Sequence, residues 1–378
     1  MMVASSIIDM YAKCCCLTDA CKVFKYLPHL DVVSWGVMID GYAENNQGNL
    51  ALILFENMLQ MGILSNKPIF LSSLKACGSE QALKSGRIIH GDIIRSALEL
   101  DSTISTSLVD MYAKCGSLEE ARRNFDAMPE RTVVTWSALI SGYAEHDCAE
   151  LALELFREMK LNGINPDKVT FSSILKACSS LNLIGHGTLV HEEIRINGLQ
   201  TDVIVGTALV DMYSKCGEVE VARTVFDEMP IRNTLSWGAM ISGYAQHGYG
   251  FSALELFQEM HEKGIKPNKV TFLCILRACS SIGMVVHGRW IHSLIIRNGC
   301  ECVAAIANTL VGMYAKCGSL IESCKVFSAI QNPDVVSWAA LITGYAQHGI
   351  YKLAMECIEV MDCRGVMPNG AIFASLLA

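Results

Sequence analysis

The chain has 378 residues, of which 51% are hydrophobic, and a formal net charge of −8 at pH 7. This charge argues against a uniformly basic nucleic-acid binder, although local basic patches along one groove stay open. No stretch reaches the run of about 18 apolar residues that a membrane span needs, so no membrane partner is expected. The 17 cysteines include no C-x-x-C pair and follow no secretory signal, which predicts free thiols in a reducing compartment.

The most regular feature of the sequence is an interval of 101 residues. Four tyrosines, each followed by a small residue, Lys and Cys, keep this interval: Tyr11, Tyr112, Tyr213 and Tyr314. Four tryptophans keep it as well: Trp35, Trp136, Trp237 and Trp338. Such strict spacing predicts an array of stacked modules rather than one globular core. Residues 1–31 already align with 102–132, so no signal or transit segment is expected in this chain.

Apolar periodicity divides each long unit into helical hairpins. In residues 133–167, apolar residues recur at i, i+3, i+4 and i+7 twice, first at Trp136, Leu139, Ile140 and Tyr143 and then at Ala152, Leu155, Phe156 and Met159. This spacing predicts two short amphipathic helices. Gly163 and Pro166 follow as stop signals. A hairpin this small must bury its apolar faces against neighbours.

The next two segments repeat the hairpin, and three hairpins of 35, 35 and 31 residues fill the unit. In residues 168–202, Phe171, Ile174 and Leu175 mark the first helix and His191 lies in the second. In residues 203–233, Leu209 and Met212 mark the first helix. The chain therefore holds eleven full hairpins and the start of a twelfth.

The sequence motifs of these hairpins resemble those of the pentatricopeptide repeat family, specifically its PLS subfamily. The P-type word is WSALISGYAEH…ALELFREMKLNGINPD at 136–167, the L-type word is TFSSILKACSS…HGTLVH at 170–191, and the S-type word is SLVDMYAKCGSLEEARRNFDAMPER at 107–131. The resemblance implies an all-α fold, a right-handed α-solenoid superhelix of stacked helix-turn-helix repeats, about eleven full and one partial.

The resemblance also implies repeat boundaries across 1–378 as a single solenoid. In chain order we expect 1–31 (S), 32–66 (P), 67–101 (L), 102–132 (S), 133–167 (P), 168–202 (L), 203–233 (S), 234–268 (P), 269–303 (L), 304–334 (S), 335–369 (P) and a partial L repeat at 370–378.

The resemblance further implies sequence-specific binding of single-stranded RNA in a plant mitochondrion or chloroplast, where proteins of this family direct processing or cytidine-to-uridine editing of transcripts. The expectation has an independent physical basis. A superhelix of hairpins presents one side chain per repeat at a regular rise, so that each repeat can meet one unstacked base.

In the family, base choice is attributed to the fifth and the last residue of each repeat. The pairs carried over are Ser5 with Asp31, Ser137 with Asp167, Thr207 with Asn233 and Asn308 with Asp334, which by resemblance favour G, G, A and U, and, in an L-type repeat, Ser172 with Asp202. Other repeats depart from the pattern, because Gly36, Gly238 and Ala339 leave the fifth position without a polar group. The predicted site is therefore about eleven nucleotides with roughly four or five informative positions.

Two local interpretations compete with this one. A terminal Asp or Asn before the next hairpin is also the residue type that caps a helix N-terminus. In the first repeat, Cys15 replaces a turn glycine of the S-type word, which places a residue that tolerates positive φ poorly at a turn.

No catalytic, metal or cofactor site is predicted. Cysteine columns such as Cys77, Cys178 and Cys279 repeat 101 residues apart and are expected to be small core residues rather than zinc ligands. The deaminase domain, called DYW, that ends many relatives carries H-x-E and P-C-x-x-C motifs. No P-C-x-x-C occurs, and the H-x-E at His191 to Glu193 is expected to be a chance match. The chain is thus predicted not to be an enzyme, with catalysis supplied by an editing deaminase or editing cofactor protein in trans.

An alternative function is a protein-binding scaffold like tetratricopeptide repeat proteins. The negative net charge and the apolar fifth positions favour it. A selected RNA motif would favour RNA binding, and its absence would favour the scaffold.

Overall fold

A computed structural model describes residues 2–27, 30–99 and 101–377. The described residues form 23 α-helices and no strand. They gather into two compact units, Met1–Leu181 and Asn182–Ala378. None of the helices in these stretches is long and apolar enough to cross a membrane.

The first unit contains eleven helices in its described residues. They are α1 (Met2–Lys13), α2 (Leu17–Lys25), α3 (Val32–Glu44), α4 (Gly48–Gln60), α5 (Lys67–Glu80), α6 (Leu83–Arg95), α7 (Ser102–Lys114), α8 (Leu118–Ala127), α9 (Val133–Glu145), α10 (Ala149–Leu161) and α11 (Lys168–Ser180).

The second unit contains twelve in the part that the structure describes. They are α12 (Ile184–Ile196), α13 (Val203–Lys215), α14 (Val219–Glu228), α15 (Thr234–Gln246), α16 (Gly250–Glu262), α17 (Lys269–Ile282), α18 (Val285–Arg297), α19 (Ala304–Lys316), α20 (Leu320–Ala329), α21 (Val335–Gln347), α22 (Tyr351–Cys363) and α23 (Gly370–Leu377).

Each unit has two layers of helices. Successive odd-numbered helices pack on each other and form one layer, which we call the odd layer. Each even-numbered helix from α2 to α20 packs on the odd helix that follows it, and the even-numbered helices form the second layer. Because every helix contacts only near neighbours in sequence, each unit is an α-solenoid of helical hairpins, and the predicted all-α fold is confirmed. The assignment of hairpins to P, L and S classes stays a prediction.

The residues that keep the 101-residue interval form the core between the layers. Trp136 is 1% exposed and Trp237 is fully buried. Each packs edge-on against the phenyl ring of a preceding even helix, Phe125 at 4.7 Å and Phe226 at 4.9 Å between ring centroids. Edge-to-face pairs of this kind add about 1 kcal/mol beyond the burial of their area. The tryptophans therefore hold the layers together rather than face solvent.

Helix starts distinguish the two layers. From α3 to α21, every odd helix except α19 begins at a residue whose side chain accepts a hydrogen bond from a backbone N–H of the first turn. The even helices from α2 to α22 have no such cap. A side-chain cap stabilises a helix by about 1 kcal/mol. The odd layer thus has the more firmly fixed helix starts.

The turn between α1 and α2 contains the positive φ that the sequence indicates at Cys15. Cys15 has φ of 59°, whereas the residues at the matching turns, Gly116, Gly217 and Gly318, have φ of 73°, 88° and 76°. An L-residue in this left-handed region costs roughly 1–2 kcal/mol. The first turn therefore keeps the geometry of its glycine counterparts under local strain.

Candidate functional site

The predicted base-reading residues all belong to the odd layer. Each fifth residue lies in an odd helix, and each last residue is the N-cap of an odd helix. The caps are Asp31 of α3, Asp167 of α11, Asp202 of α13, Asn233 of α15 and Asp334 of α21. The capping interpretation of these residues is therefore correct in every case. It does not exclude recognition, because each capping bond uses only the Oδ1 atom of the Asp or Asn side chain.

Ser137 and Asp167 come together in the first unit. Ser137 is 4% exposed and its hydroxyl donates to the carbonyl of Val133. The Oδ1 atom of Asp167 lies 3.4 Å from the Ser137 Oγ and accepts from the Thr170 Oγ1 and the Thr170 N–H, both at 2.8 Å. Thr170 Oγ1 also lies 3.3 Å from Ser137 Oγ. These three side chains form a polar cluster where α9 meets the start of α11.

Asn308 and Asp334 form the matching cluster in the second unit. The Asn308 Nδ2 donates to Asp334 Oδ1 at 3.2 Å, and the Ser337 hydroxyl lies 2.6 Å from Asn308 Oδ1 and 2.8 Å from Asp334 Oδ1. The backbone N–H of Ser337 donates to the same carboxylate oxygen and lowers the pKa of Asp334. Asp334 is therefore ionised at neutral pH and acts as an acceptor.

Two predicted pairs are not joined in the described residues. Ser5 is buried on α1, while Asp31 accepts from the N–H and the hydroxyl of Ser34, at 2.9 Å and 2.6 Å. The Ser34 hydroxyl lowers the pKa of Asp31. Thr207 donates to the carbonyl four residues earlier at 2.6 Å, and Asn233 accepts from N–H groups of the first turn of α15. No hydrogen bond within these stretches connects Ser5 to Asp31 or Thr207 to Asn233.

The fifth predicted pair lies in two units. Ser172 is half-buried on α11 of the first unit. Asp202 caps α13 of the second unit by accepting from the N–H of Ile204 at 2.8 Å and of Val205 at 3.2 Å. Each residue has its own local structure, and their pairing stays a prediction.

The glycines at fifth positions have a packing reason. A Cβ added to Gly36 would lie 3.2 Å from the Ile69 Cγ1, and one added to Gly238 would lie 3.2 Å from the Thr271 Oγ1. Both neighbours are the third residue of the next odd helix, the position that Thr170 holds beside Ser137. Contacts this close require the neighbouring side chain to shift, so a larger fifth residue fits at these two positions only when that side chain moves.

Sequence reasoning missed a row of exposed aliphatic side chains at the second residue of the odd helices. Their exposed fractions are 54% for Val33, 57% for Val134, 43% for Val169, 49% for Ile204, 62% for Leu235, 57% for Val270 and 54% for Val336. They lie outside the buried stripe of each helix. The signal was a large aliphatic residue, mostly β-branched, that is out of phase with the apolar periodicity but present in seven of the ten odd helices from α3 to α21.

A cleft in the first unit brings exposed aliphatic residues and predicted base-reading residues together. It has a volume of about 310 Å³ and lies between α7, α9 and α11. Val134 and Val169 lie on its wall with Ser137 and Asp167, and the ion pair of Asp110 with Lys114 lines the same cleft. Apolar walls with a few convergent polar groups suit a planar ligand with polar edges.

The other polar columns have structural partners. His90, His191 and His292 place their Nδ1 atoms 2.9 Å, 2.9 Å and 3.0 Å from the hydroxyls of Tyr112, Tyr213 and Tyr314. Burial lowers the pKa of each of these histidines. Cys77, Cys178 and Cys279 are fully buried. Within the described residues, no group of three or more His, Cys, Asp or Glu side chains is placed to hold a metal ion.

Comparison with known sequences finds one family throughout the chain. The family described as PPR repeat family matches residues 131–180 and 232–281, the PPR repeat matches 33–63, 103–133, 207–233 and 306–332, and the pentatricopeptide repeat domain matches 330–378.

Curated relatives from Arabidopsis thaliana carry the same description. A chloroplastic pentatricopeptide repeat-containing protein is 36% identical over 378 residues, which are 100% of this chain and 61% of the relative. A second chloroplastic protein is 35% identical over 98% of this chain and 46% of its own length, and a mitochondrial one is 40% identical over 82% and 49%. The chain thus spans about half the length of the curated relatives it matches.

A solved structure shares the fold. The pentatricopeptide repeat protein PPR10, in complex with an 18-nt psaJ RNA element, superposes with a TM-score of 0.76 at 17% identity, over 100% of this chain and 57% of PPR10. Repeat profiles along the chain, relatives that match it from end to end and the shared solenoid agree, and the chain belongs to the pentatricopeptide repeat family.

Proposed function

We propose that this chain binds single-stranded RNA in a sequence-specific manner and acts as a specificity factor in organellar RNA processing, with cytidine-to-uridine editing the expected process. The observation that carries the proposal is the pair of matching polar clusters, Ser137 with Asp167 and Asn308 with Asp334. Each joins a fifth and a last residue at the start of an odd helix.

The chemistry of these clusters suits the edge of a base. A hydroxyl or an amide both donates and accepts, whereas an ionised carboxylate only accepts, so each pair offers a defined pattern of donors and acceptors. In the described residues, Asp167 and Asp334 use Oδ1 for capping and for the fifth residue, which leaves Oδ2 available to a base. The exposed aliphatic side chains beside the first cluster, Val134 and Val169, provide apolar surface for the faces of the base.

The comparisons support an RNA ligand and an organelle. PPR10, which shares the fold, is described with a bound RNA element, and curated relatives are described as chloroplastic or mitochondrial. The chain covers only part of each relative, so the complete activity, including any catalysis, is assigned here to a partner protein or to further sequence. An editing deaminase or an editing cofactor protein is the expected partner.

The decisive test is selection from a randomised single-stranded RNA pool. We expect a motif of about eleven positions with four or five informative ones, including U opposite Asn308 and Asp334 and G opposite Ser137 and Asp167. Recovery of no motif at moderate salt, together with capture of a protein ligand by the odd layer, would favour the alternative scaffold function.

A single substitution tests the assignment of the readers. Asp334→Asn keeps the helix cap, since Asn and Asp cap equally well, but replaces an acceptor by a donor. The base preferred opposite that repeat should move away from U. Val336→Ala on the neighbouring exposed position is the matched control and should weaken binding without changing the preferred base. An unchanged preference in Asp334→Asn would contradict the assignment.

A further inference from the structure

The odd layer carries a second polar row, at the ninth and thirteenth residues of its helices. In three of the four predicted S-type repeats these are an Asp and a Lys one turn apart. They form ion pairs in three copies, Lys13 with Asp9 at 2.7 Å, Lys114 with Asp110 at 2.6 Å and Lys215 with Asp211 at 2.7 Å. In the first P and L repeats the partners are on adjacent helices, where Lys75 bonds Glu44 at 2.5 Å.

This row changes charge between the two units. In the first unit it holds five acidic and four basic side chains: Asp9, Asp40, Glu44, Asp110 and Glu145 against Lys13, Lys75, Lys114 and Lys176. In the second unit it holds one acidic and three basic side chains: Asp211 against Lys215, Arg277 and Lys316. The net charge of the row is thus −1 in the first unit and +2 in the second.

Two replacements in the second unit remove the acids that would lie beside Lys316 and Arg277. Gly312 stands where Asp9, Asp110 and Asp211 stand in the other copies, so Lys316 has no carboxylate one turn earlier. Gln246 stands where Glu44 stands before Lys75. Its amide donates to the Ser242 hydroxyl in the same helix, so Arg277 on the adjacent odd helix has a neutral neighbour instead of a carboxylate. Arg277 and Lys316 are exposed, and no carboxylate of the described residues pairs with either. Lys176 of the first unit is also exposed and unpaired in the described residues, but the acidic Glu145 stands on the preceding odd helix where Gln246 stands before Arg277.

The row lies beside the predicted base-reading residues. In the first unit, Asp110 and Lys114 line the same cleft as Ser137 and Asp167. In the second unit, a Cβ added to Gly312 would lie 3.9 Å from the Cβ of Ala340, on the next odd helix. Ala340 holds the helix position of Ala138, which lines the cleft of the first unit together with Asp110, so the ninth position has the same neighbour in both units.

We propose that the second unit anchors the phosphate backbone of the RNA through Arg277 and Lys316, whereas the first unit contributes base contacts with little net attraction for the backbone. This inference rests on the proposed function. A cation that is already paired gains little from a phosphate, because its carboxylate repels the phosphate as the cation attracts it. An unpaired cation releases counterions on binding and steepens the salt dependence of affinity by about 0.7 per phosphate on a single strand.

The experiment restores the missing acid. Gly312→Asp places a carboxylate one turn before Lys316, with room for its Cβ. We expect the slope of log affinity against log salt, for the selected RNA, to fall in magnitude by about 0.7. Arg277→Gln should lower the slope by a similar amount at an exposed position where misfolding is not expected.

Two controls isolate the effect. Gly312→Asn has the same size without the charge and should leave the slope unchanged. Ser328→Asp lies in the same repeat on the even helix α20, where two of the other copies have Asp126 and Asp227, so it changes the net charge equally but on the other layer. It should also leave the slope unchanged.

The outcomes separate the two proposals. An unaltered chain that binds no single-stranded RNA at any salt concentration overturns both. A chain that binds with a slope that Gly312→Asp and Arg277→Gln leave unchanged, or that Ser328→Asp lowers equally, overturns the anchoring inference alone.

Discussion

The first and second units share their packing and differ in their polar surface. Trp136 and Trp237 occupy matching core positions with matching aromatic partners, yet the polar row along the odd layer changes from net negative to net positive. Core positions are fixed because each helix packs on its neighbours at close range, whereas exposed positions carry no such constraint. Under the proposed function, the columns in which the copies diverge are therefore the ones that give this array its specificity.

Substitutions that disturb the packing shared by both units should have the largest effect on stability. A Cβ at Gly142 would lie 2.5 Å from the Ala113 Cβ, and one at Gly243 would lie 2.6 Å from the Ser214 Cβ. Gly142→Val and Gly243→Val should each lower the free energy of unfolding by about 2–3 kcal/mol, because adjacent odd helices must move apart. Urea denaturation measures the loss. Gly185→Ala is the control, because an added Cβ there meets no atom within 4 Å. Strongly unequal losses of stability in Gly142→Val and Gly243→Val would contradict the equivalent packing of the two units.

Two predicted base-reading residues of the second unit, Asn308 and Thr207, should contribute unequally to base discrimination. Asn308→Ala removes the bonds to Asp334 and Ser337 and should reduce discrimination at its base by about tenfold, or about 1.4 kcal/mol. Thr207→Ala should reduce it less, because the Thr207 hydroxyl already donates within its own helix. Competition binding with single-base RNA variants measures both. Equal losses would show that the contact between fifth and last residue does not matter.

The third prediction concerns the turns. Cys15→Gly should stabilise the first unit by about 1 kcal/mol, because it relieves the positive φ of 59°. Gly217→Ala should destabilise the second unit by a similar amount, since φ there is 88° and the nearest His247 atom, at 3.8 Å from the added Cβ, leaves room. Denaturant unfolding measures the two changes. The same sign for both would contradict the strain argument.

The smallest expected effect is a pH dependence. Burial lowers the pKa of His90, His191 and His292 below the ordinary value of 6.5. The unfolded chain therefore binds protons more readily, and stability falls as the pH drops below about 6.5 through the folded pKa. The second unit contains two of these histidines and the first contains one, so amide hydrogen exchange should show a larger loss in the second. His191→Gln should reduce that difference, and equal losses before and after the substitution would refute the assignment.

Much of the fold follows from local pattern. The spacing of Trp136, Leu139, Ile140 and Tyr143 predicts the helix that the structure shows as α9, because the apolar stripe has only one face on which to pack. The turn at Cys15 was likewise indicated by a single residue out of pattern.

The candidate site was less accessible to sequence reasoning. Whether a fifth residue meets its last residue depends on side-chain rotamers and on the third residue of the next helix. Thr207 bonds its own backbone, whereas Asn308 reaches Asp334 because its amide is longer. The exposed row that includes Val134 was missed because apolar residues were assigned to the core, and only the helix phase in the folded chain shows which of them face outward.

The capping residues carry an evolutionary consequence. Under the proposed function, the residue that helps to choose a base is also the residue that caps the next helix. Residue types that cap helices well are therefore favoured at the base-selecting position. Exchange between Asp and Asn keeps the cap and alters the choice, which lets specificity drift at nearly constant stability. Val303, where α19 begins without a side-chain cap, offers neither a capping oxygen nor a polar side-chain atom for a base.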